Sequence, residues 1–63
     1  MTNYRYRVLG QEHTITTDQV FGWAFGPIVD GQIVPHFCAD HDTAMRQICA
    51  MDGERFIVPV EEV

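Results

Sequence analysis

Ile28-Val29-Asp30-Gly31-Gln32-Ile33-Val34 is the stretch on which the fold turns. An Asp-Gly pair between two β-branched runs marks a two-residue hairpin loop, because the favoured turn needs positive φ at both central positions. It predicts one strand over Trp23 to Val29 and its return over Gln32 to Phe37. Pro27 and Pro35 have no amide to donate, which predicts that they lie at a sheet edge or a bulge.

Upstream, Val20 to Val29 reads two ways. Thr17 or Asp18 could cap a helix with Phe21 and Phe25 one turn apart. Phe21, Trp23 and Phe25 also alternate at period two, and Gly22 and Gly26 would weaken a helix by about 1 kcal/mol at an interior position; the strand reading is preferred. Tyr4 to Leu9 alternates aromatic with arginine, a strand period with Tyr4, Tyr6 and Val8 on one face and Arg5 and Arg7 on the other. Gly10-Gln11-Glu12 reads as a turn and His13 to Thr17 as the returning strand.

Downstream, the period changes at His41. Ala44, Met45, Ile48 and Cys49 fall on one helical face, Asp40 or Asp42 caps the start, and acids there suit the positive end of the helix dipole. Asp42 and Arg46 are spaced for an i,i+4 pair, and Asp52-Gly53 stops the helix. Arg55 to Val60 is a last strand with Phe56, Val58 and Val60 on one face, and Pro59 argues for an edge. The order β-β-β-β-α-β predicts an α+β domain spanning residues 1–63: a small antiparallel sheet of four to five strands with one helix packed on one face.

The charge balance narrows the function. Nine acids stand against four bases, for a net charge of −5, and lysine is absent. The bases are Arg5, Arg7, Arg46 and Arg55, and none lies between Glu12 and Met45. A nucleic-acid binder needs a basic face to replace counterions. This chain is expected instead to repel nucleic acid and anionic membranes and to attract a basic protein. There is no membrane-length apolar run and no signal-like N-terminal segment, so the expected location is the cytoplasm. Pro27, Pro35 and Pro59 would discourage strand-to-strand dimers, so a monomer is expected.

Three groups of residues could carry chemistry. His36, Cys38, His41 and Cys49 are zinc-type ligands, but the spacing H-x-C-x2-H-x7-C matches no standard finger or ribbon, and Cys49 lies on the apolar helix face. Cys38 with His36 or His41, and Asp40 or Asp42 behind, is also the composition of a thiol–imidazole nucleophile. A Cys38–Cys49 disulfide is disfavoured in a cytoplasmic setting. Tyr4-Arg5-Tyr6-Arg7 could stack single-stranded bases, or be a strand with half-buried tyrosines and solvated arginines; the charge balance favours the latter. The carboxylates are the third group: Asp30, Asp40, Asp42, Glu61 and Glu62, with Glu12 and Asp18, could occupy arginine and lysine sites that normally hold phosphates. The expectation is therefore a binding protein with no catalytic residues, no cofactor and no metal.

A short, acidic, lysine-free chain with compact α+β patterning and no catalytic motif resembles the small anti-CRISPR proteins encoded by phages and other mobile elements. That resemblance implies a cytoplasmic inhibitor in the host cell, some of whose kind mimic nucleic acid, occupying a basic site on a CRISPR effector complex. The group has no shared signature, so it assigns no residues by position. The Arg5/Arg7 strand departs from an all-acidic surface.

Overall fold

The computed structural model describes residues 1–63. The Asp30-Gly31 turn forms as predicted, with φ of 53° and 76° at its two residues. It joins β3 (Trp23–Val29) to β4 (Gln32–Ile33) and β5 (His36–Cys38). β4 and β5 are one returning strand. Ile28↔Ile33, Val29↔Gln32, Phe25↔His36 and Trp23↔Cys38 keep a single antiparallel register along the whole hairpin.

The prolines explain the break between β4 and β5. The Val34 amide donates to the Pro27 carbonyl at 3.0 Å, but Pro27 has no N–H to return. The Val34 carbonyl lies instead against the bare α-carbon of Gly26, where a side chain would overlap it. Pro27 thus sits in the central strand of its sheet, not at an edge or a regular bulge, because β3 is flanked by β5 on one side and β6 (Arg55–Pro59) on the other. Pro35 is at the edge as expected. Glycine at position 26 is what makes Pro27 tolerable there.

The first hairpin is β1 (Thr2–Val8) and β2 (Gln11–Thr17), paired without a bulge from Thr2↔Thr17 to Val8↔Gln11. Its loop is Leu9-Gly10, with φ of 55° and 75°, one residue earlier than the sequence predicts. Leucine is a poor choice at positive φ, where its Cβ crowds the backbone. It is also 62% exposed, so nothing in the fold repays that strain. Leu9→Asn is expected to stabilise the protein by about 0.5–1 kcal/mol, raising the melting temperature by about 2–8 °C. A thermal melt followed by circular dichroism checks this.

β7 (Glu61–Glu62) continues β6 after Val60 and changes partner. Up to Val60 the strand bonds to β3, ending with the Val60 amide on the Gly22 carbonyl at 3.0 Å; beyond it the strand bonds to β1, with the Val63 amide on the Asn3 carbonyl at 2.8 Å. One strand therefore joins sheet β2-β1-β7 to the sheet built on β3, which is how strands turn corners in orthogonal packings. Alternate amides along β6 face β3, and Pro59 falls on the side that does not.

The sequence correctly predicts the α+β class. α1 (His41–Cys49) packs on one face of β3 through Phe25, Ala44 and Ile48, with Trp23, Cys38, Met51 and Ile57 around them. The feature beyond prediction is the other face of β3, which is covered by the first hairpin. There Tyr6, Val8, Ala24 and Phe56 form a second buried cluster with Ile15, Ile28, Ile33, Phe37, Val58 and Val60. β3 is thus the middle layer, and Ala24 is fully buried because the sheets close directly over it.

The helix departs from prediction in three places. Cys49 and Met45 are exposed, leaving Ala44 and Ile48 as the buried residues. Asp42 and Arg46 form no salt bridge; the single ion pair is Arg5–Glu61 at 3.3 Å. The helix ends at Ala50, before Gly53 is reached. Arg55 closes it from the next strand, its Nη1 donating to the Ile48 and Met51 carbonyls at 2.8 and 2.5 Å. A cation satisfying terminal carbonyls suits the negative end of the helix dipole. No helix is long and apolar enough to cross a membrane.

Candidate partner-binding surface

The topology sorts the acids to two ends of the molecule. Asp30 stands at the tip of the second hairpin. Asp40 and Asp42 stand at the start of α1, beyond β5 and beside the beginning of β3. The seven residues of β3 lie between them, about 20 Å at some 3.3 Å per residue. Asp18 follows β2, whose last residue pairs with Thr2, and Glu62 pairs with Tyr4. Both belong to the Asp40 end. The seven predicted acids therefore do not make one continuous face.

Two of them meet arginines. Glu61 Oε2 accepts from Arg5 Nε at 3.3 Å, and Glu12 stands across the ladder from Arg7. These four line an open polar cleft of about 420 Å³ with Tyr6 and Pro59. The outer face of the first hairpin is thus charge-balanced; of its other residues, Asn3 and Thr16 bond to each other at 2.7 Å, and Thr14 stands across from Arg5. What is left without an arginine partner is Asp18, Asp40, Asp42 and Glu62 at the helix-start end, and Asp30, Asp52 and Glu54 away from it, where the Glu54 carbonyl accepts from the Ile28 amide close to the Asp30 turn.

At the helix start, Asp40 takes the N-cap position with extended backbone. Its carboxylate stops short of a capping hydrogen bond of normal geometry. The Thr43 hydroxyl nonetheless holds it below the usual carboxylate range, aided by the Thr43 amide and the charge of Arg46. Beside it the exposed His41 ring meets half-buried Trp23 edge-on, with centroids 4.6 Å apart. The end therefore offers carboxylates close to an aromatic pair.

The other candidate groups do not assemble. His36 packs on Phe25 at 5.7 Å, His41 on Trp23, and Cys49 lies exposed at the far end of the helix. No three His, Cys, Asp or Glu side chains converge as a metal site would require. Cys38 donates its thiol hydrogen to the Asp40 carbonyl at 3.1 Å, and burial, followed by the Asp40 charge, pushes its pKa up. A nucleophilic cysteine needs the opposite shift. Tyr4 and Tyr6 are each 6% exposed, so the face left to solvent beside Arg5 and Arg7 carries no ring for a base to stack on. Burial also raises the Tyr6 pKa above 10.0, and Tyr6 packs against His13 and Phe37. Phe21 leaves the predicted stripe and joins Tyr4 and Phe37 on the other side of β3.

The capping role of Arg55 has no counterpart in the sequence reading. Its one signal is a lone base just after a predicted helix stop. Comparison with protein-family models, characterised proteins and solved structures returned no match.

Proposed function

We propose that this protein is a non-enzymatic binding protein whose acidic helix-start end engages a basic site on a partner protein. The observation that supports it most is the distribution of charge. Arg5 is paired with Glu61, Arg7 faces Glu12, and Arg55 is spent on the end of α1. Asp18, Asp40, Asp42 and Glu62 are left with Arg46 as the only arginine not already engaged. A surface of one sign steers and holds an oppositely charged partner, and its effect falls with salt. What the resemblance to anti-CRISPR proteins implies is a partner among nucleic-acid-handling effectors, a CRISPR effector subunit in particular, with the carboxylates standing where phosphates would. The protein would act there as an inhibitor, in the cytoplasm of the host cell.

The test is capture of the partner from a host lysate, followed by measured affinities at low and high salt. Asp40→Asn with Asp42→Asn removes both charges while keeping a good N-cap. This double variant is expected to bind roughly tenfold or more weakly and with a shallower salt dependence. Asp30→Asn, at the other end, should bind as the parent does. Equal affinity of the double variant and the parent would reject this surface.

A further inference from the structure

Two of the sheet edges are treated very differently. The edge formed by β4 and β5 carries Pro35 at its middle, which removes an outward donor. The edge formed by β2 has no such protection. It is seven residues long, Gln11–Thr17, and keeps one-to-one register with β1 throughout. It contains no proline, glycine or lysine. Natural proteins usually blunt an edge of this length with a proline, a bulge, a lysine or a covering element. The prolines that the sequence offers as protection all lie elsewhere.

The geometry identifies the groups left open. Val8↔Gln11 flanks a two-residue turn, so it is a hydrogen-bonded pair, and bonded and non-bonded pairs alternate from there. The Val63 amide bonds to the Asn3 carbonyl, which confirms that odd positions of β1 turn their backbone away from β2. Gln11, His13, Ile15 and Thr17 therefore face β1. The amides and carbonyls of Glu12, Thr14 and Thr16 face outward, and none of them takes part in the hydrogen bonds made outside the regular elements.

We infer that β2 is the seam of a symmetric antiparallel dimer, centred on Thr14, that joins two copies of this chain into one continuous sheet. A two-fold axis at Thr14 pairs Thr14 with its own copy and Glu12 with Thr16 of the partner subunit. All three open residues are then used on each side, through about six backbone hydrogen bonds. Charge selects this register. Glu12 is the one charged residue of the strand. A two-fold on Glu12 would set two carboxylates face to face, which is destabilising. A two-fold on Thr16 would leave Glu12 and its backbone unpaired. Centred on Thr14, each Glu12 lies between its own Arg7 and a threonine, and no like charges are adjacent. His13 and Ile15 meet on the opposite face, where Ile15 already packs on the buried cluster. The seam is narrow, so the association belongs to the weak class of interfaces. It does not rest on the proposed function and uses a different surface.

Sedimentation and light scattering over about 0.01 to 1 mM protein test it, a range set by the affinity of small interfaces. The expected result is a rise from one to two chain masses across that range. Over the same range the amides of Glu12, Thr14 and Thr16 should exchange roughly tenfold more slowly, while outward amides of the other edge, such as that of Ile33, do not change. Thr14→Glu places like charges on the axis but faces Arg5 within its own chain, and should weaken association roughly tenfold or more. Thr14→Pro deletes only an outward donor and should act likewise. Circular dichroism verifies that both variants fold. One chain mass at every concentration overturns the proposal. So does a dimer that survives both substitutions, or protection of the three amides that appears only when a different protein is added.

Discussion

Gly26→Ala is expected to be the most destabilising single change in this chain, costing about 2–6 kcal/mol. The position combines φ of +157° with the Val34 carbonyl oxygen lying where a methyl group would go. That oxygen belongs to backbone held by the hairpin register, so it cannot swing aside as a flexible side chain would. Backbone strain and overpacking each cost about 1–3 kcal/mol. Together they approach the roughly 3–9 kcal/mol that holds a domain of this size. Gly10→Ala provides the contrast. It also has positive φ, +75°, but nothing lies within 4 Å of the added carbon, so its cost is about 1 kcal/mol. Urea titrations of the two variants decide the matter. If Gly26→Ala melts with the ease of Gly10→Ala, the Val34 contact is not what fixes glycine there.

Phe25→Ala should be the next most damaging change. The ring is 4% exposed and holds α1 to the sheet through Ala44 and Ile48. Deleting a buried phenylalanine costs about 3–5 kcal/mol, and α1 has no other buried aromatic ring to hold it. The expected sequence of events begins with the helix. Trp23 shares this cluster, so its fluorescence should shift to the red along with loss of helical ellipticity. Met45→Ala is the control on the same helix. Met45 is 38% exposed, and its loss should move stability by about 0.5 kcal/mol or less. Equal effects from the two would mean that the helix is not anchored through Phe25.

Local chemistry made much of this fold legible. Asp30-Gly31 names its own turn, and the strands on either side follow from it. The period change at His41 names the helix. The Leu9-Gly10 turn is hidden in the sequence because leucine argues against the positive φ that it adopts. Pro27 reads as an edge or bulge residue because a proline in a central strand needs a neighbouring glycine to absorb the displaced carbonyl, and that pairing is visible only in the register. The second sheet was missed for a different reason. Phe56, Val58 and Val60 share a face in the sequence pattern, but the pattern does not show that the strand changes partners after Val60. The acids are legible as residues but not as a surface, since Glu61 meets Arg5 from the other end of the chain and Glu12 meets Arg7 only through the hairpin register.

The strand that joins the two sheets also constrains the order in which the fold can be completed. Both hairpins precede it in the chain, and each has a local turn to nucleate it. Neither gains its neighbour until residues 55–62 are in place, because those residues bond to β3 on one side and to β1 on the other. On a ribosome the hairpins and the helix would emerge first as separate pieces with exposed apolar faces. Closure waits for residues 55–62 to emerge. Maturation is therefore expected to be cooperative and to wait for residues 55–62, and a nascent chain stalled before Arg55 should be readily cut by protease.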